Sequence, residues 1–481
     1  MIHPRHPALT FALLAAASPL LTGCGNLSSP GTAAHVATGY VSHQLCAAVF
    51  VAGREPEAYY RDAIEAMGGA AAFLMRHEVD RERAEVRATI AGFAESRAIY
   101  RPPFGCVNAT GTPPAGLAVA PRPIVGAGID LPPAEPLWPP IAGNAVVEPA
   151  DPALRAALAR AFEETTQGPK RHTEAVVVVH RNRIVAERYA NGVGIETPLA
   201  GWSAAKSATN ALLGILVRQG RLAMDTPAPI AAWADPRDPR HAITPDQLLR
   251  MTSGLDAGQT LRDVSAFDPA ARMLFVERDM AAFAASRPLA DVPGSRWTYT
   301  DPNTLLLSHI VRELSGGSAE SARAFAQREL FDKLGMRHAT FEFDAAGTPI
   351  GSSQLWAPAR DWARLGLLYL HDGVAGGQRL LPSGWVDYSA RQTPGSESVG
   401  YGAGFWTNRG GGAGATYRIA AGIPADAFMA RGSHGQYVVI VPSQQLVVVR
   451  LGPAWTARDD LDTVARLVRE TIAALPSQQQ P

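Results

Sequence analysis

The sequence predicts an α/β protein: an antiparallel sheet flanked by terminal helices and carrying a large all-α insertion, with a small α+β module in front of it. Three observations lead there. A helix and hairpin near residues 151–189 are mirrored by a hairpin and helix near 437–475, the stretch between them is mainly helical in pattern, and residues 24–120 carry a short mixed pattern of their own.

The elements follow in order. Arg5 and nearby histidines precede an apolar run from Ala8 to Leu21, shorter than the roughly 20 residues a helix needs to cross a bilayer. Residues 1–23 therefore read as a secretory signal peptide. The following Leu21-Thr22-Gly23-Cys24 resembles the lipobox of bacterial lipoproteins, in which the cysteine is acylated and becomes the mature N-terminus; an ordinary signal with a stray Cys24 is the other reading. Residues 24–120 form the module, with a helical stretch near Glu57 to Met67 and alternating runs at Ala71 to Val79 and Val86 to Ile99. Cys46 and Cys106 lie within it, and in an exported chain oxidising conditions favour a disulfide over two buried thiols. Prolines crowd the stretch from Gly111 to Pro152, which marks residues 121–150 as an extended linker and a domain boundary.

The main domain is expected over 151–476. Asp151-Pro152 opens a helix from Ala153 to Thr165, with an aspartate cap and proline at the first helical position. Ala175 to His180 and Ile184 to Tyr189 flank Arg181-Asn182-Arg183 as a hairpin, and Tyr437 to Val441 and Leu446 to Leu451 form another around Pro442-Ser443-Gln444-Gln445. A last helix follows from Asp459, with Leu461, Val464, Ala465, Val468, Ile472 and Leu475 on one stripe. Neither hairpin is stable alone, so one sheet joining both, covered by the terminal helices, is the economical arrangement.

Composition narrows the function. Lys+Arg and Asp+Glu both number 44, and 47% of residues are hydrophobic, which excludes a basic nucleic-acid binder and a disordered polyampholyte. Only three of the basic residues are lysine: Lys170, Lys206 and Lys333. Arginine cannot lose its proton in a protein and lysine can, so each retained lysine invites the question of what arginine could not do.

Lys206 belongs to Gly201-Trp202-Ser203-Ala204-Ala205-Lys206-Ser207, ahead of a helical stripe of Ala204, Ala208, Ala211, Leu212 and Ile215 that Gly220 would cap. Ser203 thus opens a helix, with Lys206 one turn on and on the same face. A serine hydroxyl is a weak nucleophile until a neighbour takes its proton, which a desolvated neutral lysine can do. The bland alternative is an N-cap serine with a solvent-facing lysine.

Downstream lie Leu248-Leu249-Arg250-Met251-Thr252-Ser253-Gly254-Leu255, then Gly294-Ser295-Arg296-Trp297-Thr298-Tyr299-Thr300-Asp301, and Ala430-Arg431-Gly432-Ser433-His434-Gly435-Gln436-Tyr437. With Ser203 and Lys206, these resemble the serine hydrolases related to class C β-lactamases and penicillin-binding proteins, nearest the branch of 6-aminohexanoate-oligomer hydrolases and esterases. The resemblance covers about residues 150 to 475 and implies a β-lactamase/transpeptidase-like fold. It implies Ser203 as the acylated nucleophile, Lys206 as its proton acceptor and Tyr299 as the tyrosine of the Tyr-x-Asn element. Asp301 stands where that element often has asparagine, and a carboxylate there would raise the Lys206 pKa. The strand before Gln436 should supply a second oxyanion N–H, with Ala430 the candidate. No Lys-Thr-Gly exists here, which disfavours penicillins, and Arg431 is the candidate replacement cation. His434 would either meet substrate in the cleft or pack against the sheet.

The expected substrate is a small ester or amide, handled by an exported enzyme that a lipid at Cys24 anchors in the bacterial cell envelope on the periplasmic side. β-Lactamase or D-alanyl-D-alanine carboxypeptidase activity is the alternative, and an idle envelope binding protein on the same fold is a third reading. No metal, cofactor, nucleic acid or obligate protein partner is implied: the sequence lacks a His-Glu-x-x-His zinc site, a Walker loop and a Gly-x-Gly-x-x-Gly fingerprint.

Overall fold

The computed structural model describes residues 28–109, 137–138, 141–260 and 265–475. The signal segment, Cys24 and most of the linker lie outside them.

Helix α1 (Pro30–Cys46) begins behind Ser29, whose hydroxyl accepts from Thr32 N–H at 3.2 Å. The module's sheet follows as β1 (Met75–Asp80), β2 (Glu85–Ile90), β3 (Phe93–Tyr100) and β4 (Cys106–Asn108), antiparallel in that order. The run from Val86 to Ile99 is two strands rather than one. Ala91 and Gly92 take φ of 52° and 79°, a left-handed turn that pairs Ile90 with Phe93. Cys46 and Cys106 are joined by a disulfide with Cα atoms 6.1 Å apart, which ties the end of α1 to β4.

In the main domain Asp151 caps α2 (Pro152–Ala161), accepting from the N–H groups of Ala153 and Leu154. Strands β5 (Ala175–His180) and β6 (Arg183–Tyr189) are linked by Arg181 and Asn182 at φ 50° and 66°, the two-residue turn that matches strand twist. Helices α3 (Ala205–Arg218), α4 (Pro269–Phe275), α5 (Asp301–Ser315) and α6 (Ala359–Leu370) fall in the insertion. The chain returns through β7 (Trp406–Thr407), β8 (Phe428–Gly432), β9 (Gln436–Val441) and β10 (Leu446–Leu451) to α7 (Leu461–Ala474).

One antiparallel sheet joins both ends of the domain in the order β7-β8-β9-β10-β5-β6, closed by Val177 opposite Val449. Period-two alternation sorts its valines. Val176, Val178 and Val448 pack with Leu154, Leu158, Val464 and Val468 of α2 and α7, while Val177, Val179, Val447 and Val449 face the larger core with α6. Each such valine, fully buried, stabilises the fold by roughly 1.5 to 3 kcal/mol.

The module does not stand apart. Its buried residues and those of the main domain form one continuous core, and α1 buries polar residues against the main domain. His43 Nε2 lies 3.0 Å from Glu342 Oε2, Cys106 N–H donates to Glu342 Oε1 at 2.6 Å, and Asn108 Nδ2 donates to the Phe275 carbonyl at 2.8 Å. Residues 141–150 run along β6, the sheet's edge: Ile184 N–H reaches the Ile141 carbonyl and Glu187 N–H the Val147 carbonyl, both at 3.0 Å. Among the described residues no helix is long and apolar enough to cross a membrane.

Candidate active site

Two glycines let the site close. A Cβ on Gly201 would sit 2.1 Å from the Trp362 ring, and one on Gly432 would sit 2.1 Å from the Gly201 carbonyl oxygen. Backbone therefore meets backbone where β8 passes the turn before α3. Next comes Trp202 at φ 48°, a left-handed conformation that bulky residues rarely adopt and that costs about 1–3 kcal/mol unless its surroundings enforce it. Ser203 follows in a short 3₁₀ turn, half-buried, and Lys206 lies in the first turn of α3 with 1% of its surface exposed.

The Lys206 ammonium has three acceptors: Ser203 Oγ at 3.2 Å, the Ser352 carbonyl at 2.8 Å and Asp301 Oδ1 in a short ion pair. These match its three N–H groups. Burial pushes the Lys206 pKa down, and Asp301 opposes that shift through its charge and hydrogen bond. The other lysines do ordinary work: Lys170 donates to the Thr165 carbonyl at 2.7 Å, and Lys333 pairs with Glu329 at 3.0 Å.

Tyr299 precedes α5 and is buried, its ring 5.4 Å from Tyr401, 5.6 Å from Trp406 and 6.3 Å from Trp297, with the Lys206 ammonium 5.0 Å from its centroid. Burial above all, then the Asp301 charge, drives its pKa upward against a hydrogen bond with Ser203 and the charge of Arg431. The group is held as a phenol, suited to give a proton. Asn303, two residues past Asp301, is engaged elsewhere: its Oδ1 accepts from Ser253 at 2.8 Å and its Nδ2 faces Met251 Sδ at 3.7 Å.

Strand β8 supplies the opposite wall. Partner β7 reaches only Phe428 and Met429, so Ala430, Arg431 and Gly432 pair with β9 on one side and leave the other edge open toward the Ser203 turn. Ala430 is buried on this stretch. Arg431 is not a free cation: its guanidinium lies 2.8 Å from Asp459 and stands over Trp406 at 4.9 Å and Tyr437 at 5.6 Å. His434 packs between two tryptophans. At φ 60° in the β8–β9 turn, its ring packs 5.6 Å from Trp202 and 4.4 Å from Trp455.

The structure thus brings Ser203, Lys206, Tyr299 and Asp301 together beside β8, with the charge of Arg431 felt at Tyr299. Sequence reasoning missed the Ser352 carbonyl, a backbone acceptor that no side-chain motif announces. Among the described residues no group of three or more His, Cys, Asp or Glu is placed to hold a metal ion.

An antiparallel sheet backed by terminal helices, with a Ser-x-x-Lys turn where the helical insertion meets it, defines the class of β-lactamase-fold serine hydrolases. The chain belongs to the Beta-lactamase family, whose model matches residues 158–471. A curated relative, the 6-aminohexanoate-dimer hydrolase of Paenarthrobacter ureafaciens, is 27% identical over 252 residues, covering 50% of this chain and 63% of that one, less than two thirds of its length. A solved structure from Bacillus anthracis, provisionally named a 6-aminohexanoate-dimer hydrolase, superposes with a TM-score of 0.52 at 25% identity, covering 64% of this chain and 81% of that one. A penicillin-binding protein homologue from Caulobacter crescentus shares the fold, with a TM-score of 0.53 at 19% identity over 69% of this chain and 99% of its own. The family and the curated relative are hydrolases.

Proposed function

We propose that the protein is a cell-envelope serine hydrolase that cleaves an ester or amide through an acyl-enzyme on Ser203, with Lys206 and Tyr299 moving the protons. One observation carries this reading: a buried lysine amine lies 3.2 Å from the half-buried hydroxyl of Ser203. Burial favours the neutral amine, the form that can accept the hydroxyl's proton.

In acylation, Ser203 Oγ bonds to the carbonyl carbon while its proton passes to Lys206. The carbonyl oxygen becomes an oxyanion, stabilised by the N–H of Ser203 and by an N–H on the open edge of β8; since the Ala427 carbonyl faces β7 through Asn408 N–H, alternation turns Ala430 toward β9 and gives that edge to Arg431 N–H. Collapse breaks the C–O or C–N bond, and the leaving atom takes the phenolic proton of Tyr299. One proton then moves from Lys206 to the Tyr299 oxygen and resets both groups. Water repeats the sequence at the acyl carbon, releasing the acid and free Ser203.

Amides are included because the Paenarthrobacter relative is named as a hydrolase of a 6-aminohexanoate dimer, and two amino acids condense through an amide. Penicillins are disfavoured because Arg431, the cation that β8 carries, is already held by Asp459. A fluorophosphonate probe should label wild type, and Ser203→Ala should lose both labelling and turnover of p-nitrophenyl acetate without a change in thermal unfolding. Labelling that persists in Ser203→Ala would remove the acyl-enzyme, and a higher kcat/KM for nitrocefin than for the ester would restore the β-lactamase alternative.

The envelope location rests on the Cys24 lipobox alone. Cys24→Ser should move the protein from the membrane to the soluble fraction, and an unchanged distribution would count against the anchor.

A further inference from the structure

Trp202, beside the proposed nucleophile, is gripped from two sides. Tyr40 of α1 stacks on its ring with centroids 6.1 Å apart and planes 20° from parallel, and His434 meets it at 5.6 Å and 73°. The row continues at both ends. Beyond Tyr40, the ring of Phe275 stands edge-on at 5.3 Å, and beyond His434, Trp455 lies at 4.4 Å and donates through Nε1 to the Asp62 carbonyl at 2.8 Å. Tyr40 and Asp62 both belong to the N-terminal module, so the module contributes a ring on one side of Trp202 and, through the Asp62 carbonyl, holds the end of the row on the other.

The seat is tight and tied down. A Cβ on Gly39 would fall 2.5 Å from the Phe275 carbonyl oxygen, so α1 lies directly on α4. The disulfide fixes the other end of α1. Next to it, His43 pairs with Glu342 and Gln44 Nε2 donates to Gln354 Oε1 at 3.4 Å; these partners flank Ser352, whose carbonyl holds Lys206. The same helix therefore supports both the residue before Ser203 and the segment that anchors its partner lysine.

From this arrangement we infer that the N-terminal module is a positioning element of the Ser203 site, and that Tyr40 is its positioning residue. A bulky residue at positive φ keeps that conformation only where its surroundings over-determine it. Tyr40 and His434 supply that constraint by fixing the Trp202 ring, and the direction of Ser203 Oγ toward Lys206 follows. The Tyr40 hydroxyl is buried without a hydrogen-bond partner, so the ring rather than the hydroxyl carries the role. This inference rests on the proposed acylation of Ser203.

The test uses the full chain, the fluorophosphonate labelling rate and the KM-against-kcat split on p-nitrophenyl acetate. Tyr40→Phe keeps the ring and should label at the wild-type rate. Tyr40→Leu keeps apolar volume without an aromatic face, and should label about tenfold more slowly, with kcat reduced and KM within about twofold, since misplacement of a reacting group by about 1 Å can cost a hundredfold. Val86→Ala, in the module's buried sheet, should lower the Tm and leave labelling unchanged. Labelling of Tyr40→Leu at the wild-type rate, or equal slowing by Val86→Ala, overturns the inference. If Tyr40→Leu does not fold, His434→Leu removes the opposite face of the grip, and wild-type labelling there overturns it equally. A wild type that the probe does not label defeats the acyl-enzyme reading first, and this inference with it.

Discussion

Two buried ion pairs in the main domain can be set side by side. Beneath residues 141–150, Glu187 receives Arg360 through Nε at 2.9 Å and through a second, shorter contact, together with Val147 N–H at 2.8 Å and the Tyr189 hydroxyl at 2.7 Å. The remaining Arg360 donors reach the carbonyls of Gly143 at 2.7 Å and Ala145 at 2.9 Å. Behind Ser203, Lys206 and Asp301 form an equally buried pair, but the third acceptor is a half-buried hydroxyl and the cation is one of only three lysines. The first pair is closed by fixed protein groups around a cation that keeps its proton. The second has a cation of a kind that can lose its proton, and its third acceptor, the Ser203 hydroxyl, is only half-buried. Burial of a charge pair does not by itself mark a reactive site; on the proposed function, what separates the two is a second protonation state beside a half-buried hydroxyl.

Exchanging the cations is the strongest way to break this contrast. Lys206→Arg keeps the charge beside Asp301 but removes the base, so kcat on p-nitrophenyl acetate should fall by about 10³-fold, with the protein still folded by circular dichroism. Turnover within tenfold of wild type would make the two pairs chemically equivalent. Arg360→Met should do the reverse, leaving Glu187 buried without its cation and lowering unfolding free energy by about 3–5 kcal/mol, while activity per folded molecule stays near wild type. Denaturant unfolding beside active-site titration measures both quantities, and loss of activity without loss of stability would tie this pair to catalysis.

The subtlest probe is Asp301→Asn. Asp301 raises the Lys206 pKa against the downward push of burial, so removing its charge lowers that pKa and enlarges the neutral fraction at any given pH. The acid limb of the kcat/KM profile, which rises as Lys206 loses its proton, should therefore shift to lower pH. A limb that stays in place or moves upward would assign the titration to another group.

What the sequence revealed depended on where each element finds its partners. The hairpins were readable because valines at 176–179 and 447–449 serve two apolar faces in strict alternation, and the terminal helices because each buries one stripe against a single face of the sheet. Helix α1 escaped notice since its buried side includes Thr38, Ser42, His43 and Gln44, satisfied by contacts such as those to Glu342 and Gln354 that lie far along the chain. The break at Ala91 was hidden because alanine has no special preference for positive φ. Ser203 and Lys206 emerged from helical spacing strengthened by a family resemblance, and Tyr299 and Asp301 from that resemblance alone. The ion pair of Arg431 with Asp459 and the packing of His434 between two tryptophans are long-range facts with no local pattern, and nothing in a tryptophan's own preferences points to the backbone strain at Trp202.

The closure of the central sheet by Val177 and Val449 sets an order on how the protein comes into being. The pairing of β5 with β10 must wait until β10 has been synthesised, so the sheet is a high-contact-order assembly that closes late. The N-terminal sheet and the cross-link between residues 60 apart draw on strands and cysteines that are all made long before β10. During this interval Tyr40 has no Trp202 to hold, and the apolar face of α1 is bare. A nascent chain stalled before β10 would therefore carry a paired N-terminal sheet and an open central sheet, exposing a sticky surface to whatever folding factors attend it.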